Sequence, residues 1–111
     1  MFDTYQNLVT ALKASGIPFA EDAWEDAWKL HEDYGTILLD DAAILYANDR
    51  AAEQANIGTV DFYTKSDNRV KVARIQSILD SFDDVGFEPG AREYNPKTGM
   101  THYEWIFWVM E

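Results

Sequence analysis

Cysteine is absent from the chain, and only three prolines and six glycines are spread over its 111 residues. The missing cysteines exclude disulfide frameworks, thiolate zinc sites and cysteine nucleophiles, and they leave the compartment unmarked by redox chemistry. No apolar run approaches the ~20 residues that a membrane helix needs. The start, Met1-Phe2-Asp3-Thr4-Tyr5, has neither the basic residues nor the apolar stretch of a secretory leader. Positive charge is scarce, with 9 Lys and Arg against 20 Asp and Glu, a net charge of −11. Phosphate binding needs positive surface, so this balance argues against direct contact with nucleic acid and against anionic membranes. It also opposes unspecific association between copies. There is no Gly-x-Gly-x-x-Gly, no P-loop and no Gly-x-Ser-x-Gly.

Core-forming residues are plentiful. Hydrophobic residues make up 47% and aromatics 14%, which excludes a disordered chain despite the charge. The length suits one domain over residues 1–111, burying roughly 65% of its unfolded surface. Charge is uneven along it. Glu21, Asp22, Glu25, Asp26, Glu32 and Asp33 face Lys29 alone within residues 21–33, and Asp80, Asp83, Asp84 and Glu88 form a second acidic group. The basic stretch runs from Lys65 to Arg74.

Periodicity predicts the elements. Tyr5, Leu8, Val9 and Leu12 recur at helical spacing after Asp3 and Gln6, which resemble a capping box. Gly16 and Pro18 end that helix, giving a span from about Thr4 to Ser15. Ile17 to Ala20 reads as extended, with Pro18 marking a strand start or an edge. The tetrapeptide Glu-Asp-Ala-Trp stands twice in residues 21–28. A helix there puts Trp24 and Trp28 on one face; a strand through Trp24 leaves the second copy as loop. Gly35–Leu39 and Ile44–Ala47 read as short strands around a polar turn, and Ile57–Thr64 as a further strand. Asp67 is the expected N-cap of a helix from Asn68 to Phe82, with Val72, Ile75, Leu79 and Phe82 as its apolar stripe. Asn95-Pro96-Lys97-Thr98-Gly99 reads as a hairpin turn with Gly99 in the left-handed region. In the returning strand, Thr101, Tyr103, Trp105, Phe107 and Val109 share one face, and His102, Glu104, Ile106, Trp108 and Met110 the other. The expected class is α+β, an antiparallel sheet of four to five strands with two helices packed on one face.

Few groupings point to chemistry. His102-Tyr103-Glu104 has the His-x-Glu order of zinc deaminases, but that site also needs cysteines. His31 is the available third ligand, and a His102 paired across strands with Glu93 accounts for the same residues without a metal. The acids near Gly86 do not have calcium-loop spacing. No pattern forces a raised carboxylate pKa, so the chain reads as no enzyme, with no cofactor, no metal and no catalytic residue. Arg69, Lys71 and Arg74 open a helix, where cations are mildly unfavourable. They are simply solvated, or they face carboxylates of another subunit, namely Glu21, Asp22, Glu25 and Asp26 of the acidic segment, or, as the least favoured reading, they hold a phosphate ligand. Trp24, Trp28 and Trp108 either cover the edge of the core or join that interface.

Several stretches together resemble a family. They are Gly16-Ile17-Pro18-Phe19-Ala20-Glu21-Asp22-Ala23-Trp24 after a short helix, Tyr34-Gly35, Tyr46-Ala47-Asn48-Asp49, Gly58-Thr59-Val60-Asp61-Phe62-Tyr63-Thr64, and His102-Tyr103-Glu104-Trp105. In element order nearly the whole chain is similar to the tail terminator, or tail completion, proteins of siphophages and prophages of Gram-positive hosts. The doubled tetrapeptide and the charged stretch to Asp33 depart from that pattern. The resemblance implies a non-enzymatic structural protein that forms a ring, commonly a hexamer, at the head-proximal end of the tail. Its implied partners are its own copies, the tail tube protein and the head connector protein. Its implied location is the virion tail, and the host cytoplasm during assembly. A rival reading is a small acidic inhibitory module that imitates DNA and blocks a nucleic-acid-binding protein, supported by the two acidic groups.

Overall fold

The computed structural model describes residues 3–39 and 55–110. The expected strand Ile44–Ala47 lies outside them. Helix α1 (Asp3–Lys13) leads to β1 (Phe19–Glu21), the single-turn α2 (Ala27–Leu30) and β2 (Asp33–Leu39). Strand β3 (Ala55–Thr64), helix α3 (Arg69–Asp80) and the hairpin β4 (Val85–Asn95) with β5 (Met100–Met110) complete the order. The class is α+β, with five strands in the order β1-β2-β3-β5-β4.

Local chemistry explains most boundaries. Gly16 turns the chain out of α1 at φ 87°, a conformation that costs glycine little. Gly99 does the same in the hairpin at φ 74°, where its N–H donates to the Asn95 carbonyl at 2.8 Å. Asn68, not Asp67, caps α3: its Oδ1 accepts from the Lys71 N–H at 3.1 Å. Asp67 instead takes a left-handed φ of 51°, and its carboxylate turns toward β4 and β5.

One pairing differs from the antiparallel expectation. β1 runs parallel to β2, with Phe19 opposite Gly35 and Glu21 opposite Ile37, whereas the other three neighbouring pairs are antiparallel. Parallel neighbours need a crossover of about a dozen residues. Residues 22–32 make one, carrying α2, and Gly35 N–H closes it on the Pro18 carbonyl at 2.8 Å. Gly35 has room for this: a Cβ there would meet the Phe19 ring at 2.4 Å.

The core lies between the sheet and two helices. Tyr5, Leu8, Val9 and Leu12 of α1 and Ile75 and Leu79 of α3 form one buried cluster with Ile37, Val60, Phe62, Trp105, Phe107 and Val109. Val72 and Phe82 of the expected stripe are half-buried against it. The Thr101-to-Val109 face of β5 is therefore the inward one. In β4 a bulge between Pro89 and Arg92 shifts the register by one residue. It returns Arg92 to the helix side, where its Nε donates to the Tyr103 hydroxyl at 3.0 Å. Among the described residues no helix is long and apolar enough to cross a membrane.

Candidate functional site

The opposite face of the sheet is uncovered by α1 and α3 and carries a different kind of residue. Strand alternation puts Tyr34, Thr36 and Leu38 of β2 there, beside Thr59, Asp61 and Tyr63 of β3 and His102, Glu104, Ile106 and Trp108 of β5. Register aligns three rings across three strands, Tyr34 opposite Tyr63 and Tyr63 opposite His102. Their planes stack, with centroids 4.7 Å and 4.4 Å apart and interplanar angles of 14° and 9°. His102 Nε2 meets Asp61 Oδ1 at 2.6 Å, and Thr59 donates to the other Asp61 oxygen at 3.2 Å. These contacts fix a carboxylate beside the ring stack.

The crossover brings the tandem tetrapeptide onto this face. Its two aspartates adopt the same left-handed backbone, φ 63° at Asp22 and 58° at Asp26. Aspartate enters that region more readily than most residues. Each turn is followed two residues later by a tryptophan that packs on a second buried cluster of Ala27, Tyr34 and Met100. Trp24 sets its edge against Tyr34 at 5.9 Å and His31 at 5.0 Å. Neither a single helix through Trp24 and Trp28 nor a strand to Trp24 describes residues 21–28. β1 stops at Glu21, and only the second copy enters a helix.

Two clefts flank the ring stack and share Tyr34 and Tyr63 as wall. One, of about 560 Å3, is lined by Trp24, Tyr34, Tyr63, Asp22, Glu25 and Asp61 among others. The second, of about 370 Å3, is lined by His102, Glu93, Tyr94 and Met100 together with the shared tyrosines. Burial, with Asp61, Tyr34 and Glu104 nearby, pushes the Tyr63 phenol up to about 12. Burial also raises Tyr34 above its ordinary value. Both are neutral hydroxyls at physiological pH.

The cations expected at an interface have partners in their own chain. Lys71 Nζ lies 2.8 Å from Asp33 Oδ2, with both side chains largely buried. The acidic segment does meet a basic residue of α3, but within one molecule. Arg74 Nη1 donates to the Ser15 carbonyl beyond the end of α1 at 3.0 Å, and Arg69 lies 3.3 Å from Asp67. Asp67 also takes Arg92 at 2.9 Å and the Tyr103 hydroxyl. That hydroxyl first, then the two guanidiniums, holds the Asp67 carboxyl below its usual range.

Of the acids, Glu21 lies 3.6 Å from Lys13 and Asp26 3.7 Å from Lys29, both pairs exposed. Asp22 and Glu25 are exposed at the rim of the larger cleft. Trp108 stacks over Gly86, where a Cβ would meet its indole at 2.1 Å. His102 and Glu93 are cross-strand partners in the register. No group of three or more potential metal ligands occurs among the described residues.

Sequence reasoning therefore named Trp24, Trp28 and Trp108 but missed Tyr34, Tyr63, His102 and Asp61 as one constellation. Its signal was present in the alternation of Tyr63 with Asp61 and of His102 with Glu104, but strand pairing alone aligns them. No protein-family model, curated protein or solved structure matches the chain.

Proposed function

We propose that this chain is a non-enzymatic assembly protein of the phage tail terminator, or tail completion, type. In this reading copies form a ring at the head-proximal end of the tail, commonly a hexamer, that joins the tail tube protein to the head connector protein. It works in the virion tail and assembles in the host cytoplasm. The observation that carries the reading is the two-sided sheet. Helices α1 and α3 bury one face, while the other keeps tryptophans, tyrosines and carboxylates partly open to solvent. Aromatic rings in such positions are the usual anchors of protein contacts.

The ring contact is head-to-tail, between Arg69 and Arg74 of one copy and Asp22 and Glu25 of the next. Contacts between two different patches close into rings, unlike two-fold contacts. Arg69 keeps 67% of its side chain exposed beside Asp67, which leaves it reach toward a neighbour. Exposed ion pairs contribute only about 0–1 kcal/mol each, so the isolated chain associates weakly and closes on the tube as template. Phosphate imitation is the weaker reading, because Glu21, Asp26 and Asp33 of the acidic segment each have a cation partner in the chain.

Light scattering over a concentration range, with electron microscopy of the chain mixed with tail tubes, tests this. The expected result is ring density at one tube end, lost in the double variant Arg69→Glu with Arg74→Glu. Tubes left bare by the wild-type chain overturn the reading. Full assembly by the double variant removes this ring contact alone.

A further inference from the structure

The geometry points to the open face as a docking surface for a lysine- or arginine-rich segment of a partner protein, whose cationic side chains enter the two clefts beside the Tyr34–Tyr63–His102 stack. The chemistry of the walls carries this. Indole and phenol faces attract cations through the ring quadrupole. In the larger cleft Trp24, Tyr34 and Tyr63 stand with the carboxylates of Asp22, Glu25 and Asp61. In the smaller one Tyr94 and the shared tyrosines stand with Glu93. Among the described residues neither lining contains a lysine or an arginine. Rings and carboxylates without a cation among them complement a cation supplied from outside.

The Asp61 carboxylate is held in place by Thr59 and His102, so its charge stands at the cleft wall before any partner arrives. Preorganised charge of this kind favours recognition of a cation over a neutral side chain.

The occupant is another protein rather than a second copy. The chain carries a net charge of −11, which sets copies against one another. In the isolated chain, which associates only weakly, Arg69, Lys71 and Arg74 stay on Asp67, Asp33 and the Ser15 carbonyl of their own molecule. Two neighbouring clefts on one face suit a peptide carrying several cations better than a single small ammonium ion. Asp22 and Glu25 also serve the proposed ring contact, so the inference concerns the free chain, in which no neighbouring copy covers them; it does not require that rings form.

The test is calorimetric titration of the full chain with a short synthetic arginine-rich peptide, beside a counterpart with glutamine in place of every arginine. Amide resonances are followed in parallel. Saturable binding of the arginine peptide alone is expected, with shifts concentrated around Trp24, Tyr63 and His102. Asp22→Asn combined with Glu25→Gln weakens it about tenfold, and so does Trp24→Leu. Asp80→Asn with Asp83→Asn removes the same charge elsewhere and leaves the affinity within about twofold. Equal weakening by the two charge-removing pairs overturns the proposal in favour of general attraction to an acidic protein. Absence of binding, or equal binding of the glutamine peptide, overturns it as well. So does a concentration-dependent dimer that disappears in the Trp24→Leu variant, because a second copy then covers the face. Should Trp24→Leu lose its dispersed resonances, the two charge-removing pairs decide the matter by themselves.

Discussion

The two faces of the sheet use aromatic residues in opposite ways. Toward α1 and α3, Trp105, Phe62 and Phe107 are fully buried among aliphatic side chains and the rings of Tyr5 and Tyr103, with no carboxylate among the described residues of the cluster. On the open face, Tyr34, Tyr63 and His102 stack on one another, and carboxylates stand beside them. Burial of apolar surface drives the first arrangement, at roughly 25 cal/mol per Å2. The second gains less from burial and more from ring geometry and hydrogen bonds, which leave charge and edges available to a partner. One strand serves both, since β5 sends alternate residues to each side. A two-sided strand of this kind ties the stability of one face to the chemistry of the other.

Mutations should separate the two faces by magnitude. The largest loss is expected for Ile75→Ala on the helix side, about 2–5 kcal/mol in denaturant unfolding, because a fully buried side chain leaves a cavity. A change below about half a kcal/mol would place that helix face outside the core. Next comes the Lys71–Asp33 pair, which joins α3 to β2. A double-mutant cycle with Lys71→Met and Asp33→Asn should give a coupling of about 1.5–3 kcal/mol, the range for a charge-assisted hydrogen bond shielded from water. Coupling indistinguishable from zero would reduce the pair to surface decoration.

Alkaline titration compares the faces directly. Tyr5, on the helix side, and Tyr63, on the open side, are both pushed up to about 12, burial being the largest cause in each. The folded state favours the neutral phenol. Its contribution is therefore full below pH 10, the unfolded value, and is lost as pH rises through about 12. Unfolding followed across that window should show falling stability, on the order of 2 kcal/mol for the well-buried Tyr5 and less for the more exposed Tyr63. Phenolate absorbance from all six tyrosines at pH 10 would contradict it.

The smallest effect is expected within the ring stack. A double-mutant cycle with Tyr34→Leu and Tyr63→Leu should yield a coupling of about 0.5–1.5 kcal/mol, the usual worth of an aromatic pair. A coupling as large as the Ile75 loss would make the open face a second core rather than a contact surface.

Much of the helix side was legible in the residues. The stripe through Ile75 and Leu79 and the Gly99 turn each follow from a pattern within a dozen residues, whereas both faces of β5 are apolar toward its end and only packing chose the inward one. The crossover was not legible. Glu-Asp-Ala-Trp written twice suits a helix on spacing alone, yet Asp22 and Asp26 both turn left-handed, and the chain needs that path to bring β2 parallel to β1. The N-cap moved by one residue for a similar reason. Asp67 and Asn68 are both good caps, and Asp67 is claimed by Arg92 and Tyr103 from the hairpin.

The open face was only half visible. Its tryptophans stood out by composition, whereas the stack of Tyr34, Tyr63 and His102 depends on the register of three strands drawn from distant parts of the chain. The basic residues of α3 illustrate the same limit. Their unfavourable place at a helix start fitted either solvation or carboxylates of another subunit, and folding instead supplied Asp33, 38 positions from Lys71.

By itself the sequence determined the places of α1, α3 and the terminal hairpin and the apolar stripe of each of those helices, because periodicity and turn chemistry act between residues close along the chain. Only the tertiary structure decided that β1 lies parallel to β2, that Lys71 meets Asp33, and that three rings align beside a fixed carboxylate. Those outcomes depend on strand register, and register is selected by the whole core at once. A slip of one residue would turn every side chain of a strand to the other face.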